Sequence, residues 1–319
     1  MPRLSVVVTF HNQADFVEQT ITSLRKAAFD EVEYVIVDDA STDSTADQVA
    51  RATADLPQVR LIRTGDEPIG VSAARNLGSG LAGGDWLTYL DGDDFVGPDH
   101  YRSALAAADR LGVDYLRTDH TRAFGAVREV HRIPHGPRGI ADSPRNGIAP
   151  AHRATSVDFP QPWTSLYHRR LYDRGLLEFP VDLRTCEDRF VTWRLHLQAE
   201  SFAVVGLTSM FWRREVAGSL TRITDDRQLD FITAFDRIVA MVLADPEADR
   251  FIAKAIRNYL AMTHHHLGRV AEYGPALSSQ LTARATASYA RLPQDVLDSV
   301  YAVQDANRRR ALRPIMKGI

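Results

Sequence analysis

The chain has 319 residues, 45% of them hydrophobic, which is enough for a sizeable core and, by length, about two domains. Its formal net charge is −3 with both signs mixed, so there is no electrostatic case for nucleic acid as a main partner. A single cysteine, Cys186, excludes an intramolecular disulfide and fits a reducing, cytoplasmic setting. No segment has the uncharged apolar length of a membrane helix. The opening MPRLSVVVTFHN enters a β-branched run without the apolar stretch or cleavage site of a signal peptide.

From the N-terminus, strand and helix patterns alternate over residues 1–120. LSVVVTF, EYVIVDD, VRLIRT, WLTYLD and DYLRTD are short and rich in β-branched or aromatic residues, the pattern of buried strands. Between the first two, Phe16, Val17, Ile21 and Leu24 form the apolar stripe of a helix, with Asn12 placed to cap it. After WLTYLD, Pro98 suits a first helical position. Tyr101, Leu105, Ala108 and Leu111 then share a face, and Gly112 ends the helix. Such alternation predicts an α/β fold with a mainly parallel sheet covered on both faces. Ligands of such sheets bind beyond the carboxyl ends of the strands.

Residues 121–160 change character. RIPHGPRGIADSPRNGIAPAHR is rich in Pro, Gly and Arg and lacks periodicity, as a functional or disordered loop does. Order returns from 161 to 224, with a helix expected near CEDRFVTWRLHL, and from 225 to 319 the pattern is helical throughout. No repeat of fixed period appears, so a helical appendage is expected rather than a solenoid.

Two strands end in acid. YLDGDD places Asp91 and Asp93 on one face of an extended chain and Asp94 on the other, with Gly92 leaving room for a ligand to approach the backbone. Carboxylates about 4 Å apart repel by about 4 kcal/mol at an effective dielectric of 20. A hard divalent cation, Mg²⁺ or Mn²⁺, turns that repulsion into shared attraction and completes its shell with phosphate oxygens and water. An acidic turn feeding the next helix is the simpler alternative. In VIVDDASTDST, Asp39 could accept a hydrogen bond from a nucleobase imide while Ser41 or Asp43 caps a helix. The simpler alternative is that both Asp38 and Asp39 merely start that helix.

Taken together, SVVVTFHN, VIVDDASTDST, GVSAARNLG and YLDGDDFV closely resemble the start of family-2 glycosyltransferases of the GT-A fold, in order and in spacing. The resemblance implies a GT-A domain, with residues 1–120 as its nucleotide-sugar-binding half and 121–224 as its acceptor-binding half, followed by the helical region 225–319. It implies that Thr9 and the following loop, including Asn12, hold a uridine together with Asp39, with Arg75 near the uracil and phosphates. Asp91 and Asp93 would form the DxD motif, Asp93 touching the metal directly. One departure is Phe10-His11, where the family commonly has a tyrosine before the asparagine.

The resemblance continues more loosely into WTSLYHRRLYDRGLLEF and CEDRF. By position Asp188 would be the catalytic base, and Glu187 its neighbour on the donor or acceptor sugar. An acid in the first turn of a helix is kept ionised by the dipole and can accept a proton. FWRREVAGSLT resembles a segment that closes over the diphosphate, with Arg213 and Ser219 as its candidates. The expected reaction is metal-dependent, inverting transfer from a UDP-sugar to a hydroxyl of a glycan, cell-wall polymer or other glycoconjugate. Arg138 and Arg145 in the Gly/Pro/Arg-rich stretch would suit an anionic acceptor.

Two rival readings are a sugar-nucleotide pyrophosphorylase and a non-catalytic nucleotide or carbohydrate binder. The first requires a Gly-rich loop after the first strand, where this chain has TFHNQAD; the second sits poorly with an intact acidic set. GSGLAG at 78–83 matches a dinucleotide-loop pattern but precedes a strand, and reads as the end of a helix. Three consecutive histidines, 264–266, fan around a helix and cannot all face one ion. RRRALRPIMK reads by default as a solvated helix end, with peripheral contact to an anionic inner membrane face as the alternative. The helical region leaves self-association, acceptor binding and stabilisation of the core open as roles.

Overall fold

Val6, Val7 and Val8 have no exposed surface, which is what a β-branched run buried on both faces of a sheet requires. They lie in β1 (Leu4–Phe10) of a computed structural model that describes residues 2–214 and 223–319. The chain then runs through α1 (Ala14–Ala27), β2 (Val32–Asp38), α2 (Thr45–Thr53), β3 (Val59–Arg63), α3 (Val71–Leu81), β4 (Trp86–Asp91) and β5 (Phe95–Val96). Next come α4 (His100–Leu111), β6 (Tyr115–Thr118), β7 (His120–Phe124), β8 (Val127–His131), β9 (Ser165–His168), α5 (Arg169–Asp173), α6 (Glu187–Gln198), β10 (Phe202–Val205) and β11 (Met210–Arg213). Five described helices follow: α7 (Asp230–Leu243), α8 (Ala248–Leu267), α9 (Val270–Tyr289), α10 (Gln294–Ala302) and α11 (Ala306–Lys317).

The chain divides into two compact units. One comprises Met1–Pro144, Phe159–Val181 and Gln198–Ala217; the other comprises Arg145–Asp158, Asp182–Leu197 and Gly218–Ile319. In the first unit, seven described strands form a sheet in the order β10-β6-β9-β4-β1-β2-β3. All five strands expected from sequence are in it and run the same way, while β9 lies antiparallel to β4 and β6. A smaller sheet has the order β5-β11-β7-β8. Its β7–β8 hairpin occupies residues that sequence reading assigned to an aperiodic loop, because its solvent-facing strand β8 lacks an apolar alternation. From 132 to 160 the stretch holds two short 3-10 turns, Pro144–Gly147 and Ser156–Asp158, and an isolated antiparallel bridge from Asp142 to Phe202.

Helix ends show where local reading fails. Asn12 does not cap α1, whose cap position is Gln13 without a side-chain bond. Instead the Asn12 Oδ1 accepts from the backbone N–H groups of Thr42 (2.8 Å) and Asp43 (3.3 Å), tying two loops together. Pro98 falls two residues before α4 rather than in its first turn. Gly112 ends α4 as expected, at φ 60° with its N–H on the Ala108 carbonyl, a left-handed position that suits a residue without Cβ.

The second unit has its own core, in which Phe231, Phe235, Tyr259 and Tyr289 are fully buried. The Tyr259 hydroxyl donates to Ser288 and that of Tyr289 to Thr263, both at 2.7 Å, as buried phenols require. Fully buried Lys254 donates to Asp158 (2.6 Å) and the Arg153 carbonyl (2.8 Å), pinning the 150s loop to α8. Of the three histidines, His266 is buried and stacked on Phe231 at 4.3 Å, a packing role. No described helix is long and apolar enough to cross a membrane.

Candidate functional site

The strand order reverses at β1, which has β2 on one side and β4 on the other. Open α/β sheets bind ligands at such a point, beyond the carboxyl ends of the strands. The register brings the tips level: Thr9 pairs with Asp91, and Phe10 with Asp38. The acid ends of β2 and β4 therefore flank the end of β1, as the two motifs predict.

On the β2 side, the Asp39 N–H bonds the Phe10 carbonyl at 2.8 Å. Its carboxylate accepts from the Thr64 hydroxyl (2.9 Å) and from the backbone N–H groups of Ile69 and Gly70 (both 2.8 Å). Three of about four acceptor positions are thus used to hold the loop before α3, leaving about one for a ligand. His11 reaches the Asp39 carbonyl through Nδ1 at 2.6 Å. Asp38 is 1% exposed, with Arg63 at 3.7 Å from one oxygen.

On the β4 side, Arg75 donates to Asp91 at 2.7 Å; the guanidinium is buried and the carboxylate half-buried. Burial, and then the charge of Asp91, push the Asp93 carboxyl up to about 6. Burial pushes Asp94 well above the usual carboxylate range, and the charges of Asp93 and Asp91 add to it. Asp94 Oδ1 accepts the Arg213 backbone N–H at 2.7 Å. The turn is braced from below by Thr20, whose hydroxyl is shared between the carbonyls of Gly92 (2.9 Å) and Asp94 (2.8 Å). Gly92 serves packing: a Cβ there would sit 2.3 Å from Phe10 Cδ1 and 2.4 Å from Gln13 Oε1.

Arg213 stands beside the turn with its side chain spent on protein groups. It donates to the Asp93 carbonyl (2.6 Å) and to Gln19 (2.7 Å), and lies over the rings of Phe16 and Phe95. Ser219 lies outside the described residues. Arg138 and Arg145 depart from the anionic-acceptor expectation. Arg138 is bonded to Asp119 (2.6 Å) and to the carbonyls of Ile133 and Val205. Arg145 grips Asp245 with two 2.8 Å bonds and reaches Glu247 and the Leu197 carbonyl. Both cations neutralise carboxylates of their own unit.

Glu187 and Asp188 open α6 in the second unit. The helix is anchored by buried Trp193 and Leu197, with Phe190 packed against the same core. Glu187 is 7% exposed and Asp188 half-buried, so this first turn is partly enclosed. Asp188 Oδ1 accepts the N–H of Arg189 at 2.7 Å. Cys186, just before, takes φ 63°, and burial pushes its thiol up to about 12.

Sequence reading misses Gln19 and Thr20, polar residues of α1, which bears no motif, and it gives no role to Asn76, although that residue lies inside GVSAARNLG. Among the described residues no three His, Cys, Asp or Glu side chains gather to hold a metal by themselves. An ion at Asp91 and Asp93 would have to draw its remaining ligands from phosphate and water.

A family model described as glycosyl transferase family 2 matches residues 5–177. The succinoglycan biosynthesis protein ExoO of Rhizobium meliloti is 42% identical over 280 residues, 83% of this chain and 72% of that protein. An uncharacterised glycosyltransferase of Bacillus subtilis, EpsJ, is 25% identical over 230 residues, covering 70% of this chain and 64% of EpsJ. This chain thus spans just under two thirds of EpsJ. Among solved structures, Staphylococcus aureus TarS residues 1–349 in complex with UDP-GlcNAc superposes with a TM-score of 0.78 at 19% identity. That match covers 99% of this chain and 92% of the TarS chain, and shows a shared GT-A fold.

Proposed function

Because this chain belongs to glycosyltransferase family 2, we propose that it transfers a sugar from a UDP-sugar to a hydroxyl of a glycan or cell-wall polymer, with inversion. The observation that carries the reading is the register that sets Asp91 beside Thr9 and Asp38 beside Phe10 where the strand order reverses, with the acid turn Asp91–Asp94 at the strand tip. The donor class is supported by TarS, a poly(ribitol-phosphate) β-N-acetylglucosaminyltransferase seen with UDP-GlcNAc.

In this reading Asp39 offers its remaining acceptor position to the uracil imide, and Thr9 and the Asn12 loop frame the nucleoside. Asp91 and Asp93 take a Mn²⁺ or Mg²⁺ ion. The fit is physical: the Asp93 carboxyl is pushed up to about 6 by burial and by Asp91, a repulsion that a hard cation relieves. The bound ion would neutralise charge on the departing diphosphate. Asp188 takes the proton of the attacking hydroxyl as its oxygen bonds the anomeric carbon and the bond from that carbon to the UDP oxygen breaks. Glu187 contacts one of the sugars. Arg75 supplies positive charge next to Asp91 on the diphosphate side.

A panel of UDP-sugars incubated with Mn²⁺ tests the donor, because slow hydrolysis needs no acceptor. Asp188→Asn is expected to nearly abolish transfer while metal-dependent UDP binding persists, and Asp93→Ala to weaken both. Transfer by Asp188→Asn at close to the parent rate would identify another base. Release of pyrophosphate from UTP and a sugar phosphate would point to the pyrophosphorylase instead.

A further inference from the structure

One side chain, Asn76 on α3, does for Phe179 what a neighbouring strand would ordinarily do. Its Nδ2 donates to the Phe179 carbonyl at 2.7 Å and its Oδ1 accepts the Phe179 N–H at 2.8 Å. Both backbone polar groups of a residue only 1% exposed are satisfied this way. The ring so placed meets Tyr89 of β4 edge-on at 5.2 Å and lies 5.3 Å beneath the Arg75 guanidinium. Arg75 in turn donates to Asp91 at 2.7 Å. The cation is thus held between an aromatic face and the first carboxylate of the acid turn. The next residue of the same helix keeps the aromatic face in place.

We propose that Asn76 and Phe179 are positioning residues for the diphosphate side of the donor site, acting on Asp91 through Arg75. What Asp91 binds rests on the donor reading above; the positioning itself is a property of the chain without ligand. A guanidinium with one face on a ring and its edge on a carboxylate keeps a fixed orientation, since its planar donors cannot turn without losing one contact. Without that support Asp91 and Asp93 face each other with a less fixed counter-charge, where a metal-bound diphosphate has to enter. Groups one layer behind the ligand oxygens typically change metal affinity about 10- to 100-fold when removed.

The test uses the full chain with Asn76→Ala, with Phe179→Leu, which keeps a buried aliphatic side chain, and with each in an Arg75→Met background. Hydrogen exchange of residues 88–95 is followed without nucleotide, and UDP binding with and without Mn²⁺ by titration calorimetry. Both single variants are expected to keep the parent circular dichroism, speed exchange in 88–95 and weaken Mn²⁺-dependent UDP binding about ten-fold or more. In the Arg75→Met background neither is expected to add a further loss. Unchanged exchange in 88–95, or an equal loss with and without Arg75, overturns the proposal. Should Asn76→Ala fail to fold, Phe179→Leu decides by the same readouts. A parent chain that binds no UDP sinks the donor reading alone, because the exchange measurements still decide the positioning.

Discussion

Arg213 Nε donates to the carbonyl oxygen of Asp93 at 2.6 Å, so the last residue of β11 holds the main chain of a turn 120 positions earlier. The same guanidinium reaches Gln19 and packs on Phe16 and Phe95. Its backbone N–H, on Asp94, is kept in Arg213→Met. Arg213→Met is expected to cost about 2 kcal/mol of stability, the range for hydrogen bonds to charged groups. It should also weaken Mn²⁺-dependent UDP binding by loosening the turn. Lysine should not restore either, because it lacks the planar fork that serves two acceptors at once. Urea unfolding and calorimetry read the two effects separately.

Gly92 is fixed by close approach. Adding a Cβ 2.3 Å from Phe10 Cδ1 forces the ring or the turn to move, and overpacking of this kind costs about 1–3 kcal/mol. Gly92→Ala is therefore expected to lower the melting temperature and to impair UDP binding. Phe10→Val in the same chain should return part of the lost UDP binding, because valine has no δ carbon to meet the added Cβ. If the double variant is no better than Gly92→Ala, the clash is with Gln13 instead.

Arg145 is a stability residue of the second unit. It neutralises Asp245, whose side chain is 9% exposed, and removing it leaves that carboxylate buried and unpaired. Burial of this pair is partial, so Arg145→Met is expected to cost about 2–3 kcal/mol, below the range for fully buried pairs. The Michaelis constant for the acceptor should be unchanged in the folded fraction. A selective rise in that constant at full stability would return Arg145 to the acceptor site.

Acid sensitivity should come from histidines before carboxylates. Burial lowers His100 to about 4 and both His120 and His266 to about 3, from an ordinary value of 6.5. These rings are neutral in the fold and charge on unfolding, so the unfolded chain binds more protons as pH falls below 6.5. Their contribution is fully present above about 6.5 and is lost as pH falls toward 3, by about 1.4 kcal/mol per pH unit for each ring. Melting temperature is therefore expected to fall steadily between pH 6.5 and 4. A flat profile there would mean that the rings are protonated in the fold.

Several features were legible in the residues alone. The five parallel strands show as short β-branched runs, and α4 shows both its apolar face and its Gly112 stop, because burial and capping leave local patterns. The acid strand tips are local too: both runs close on aspartate in the sequence, and in the sheet β2 ends at Asp38 and β4 at Asp91. The β7–β8 hairpin was hidden because its outer strand is solvated and carries no periodic apolar set.

The family and the doubly covered sheet thus follow from the order of residues along the chain. Which charge answers which was settled by folding: Arg75 with Asp91 across 16 positions, Arg145 with Asp245 across 100, and Arg213 with the Asp93 carbonyl across 120. The cause is physical. Apolar periodicity is set by neighbours a few residues apart, whereas an ion pair depends on where separate strands and helices place two ends in space. An arginine in a loop reads the same whether it waits for a ligand or already holds a carboxylate.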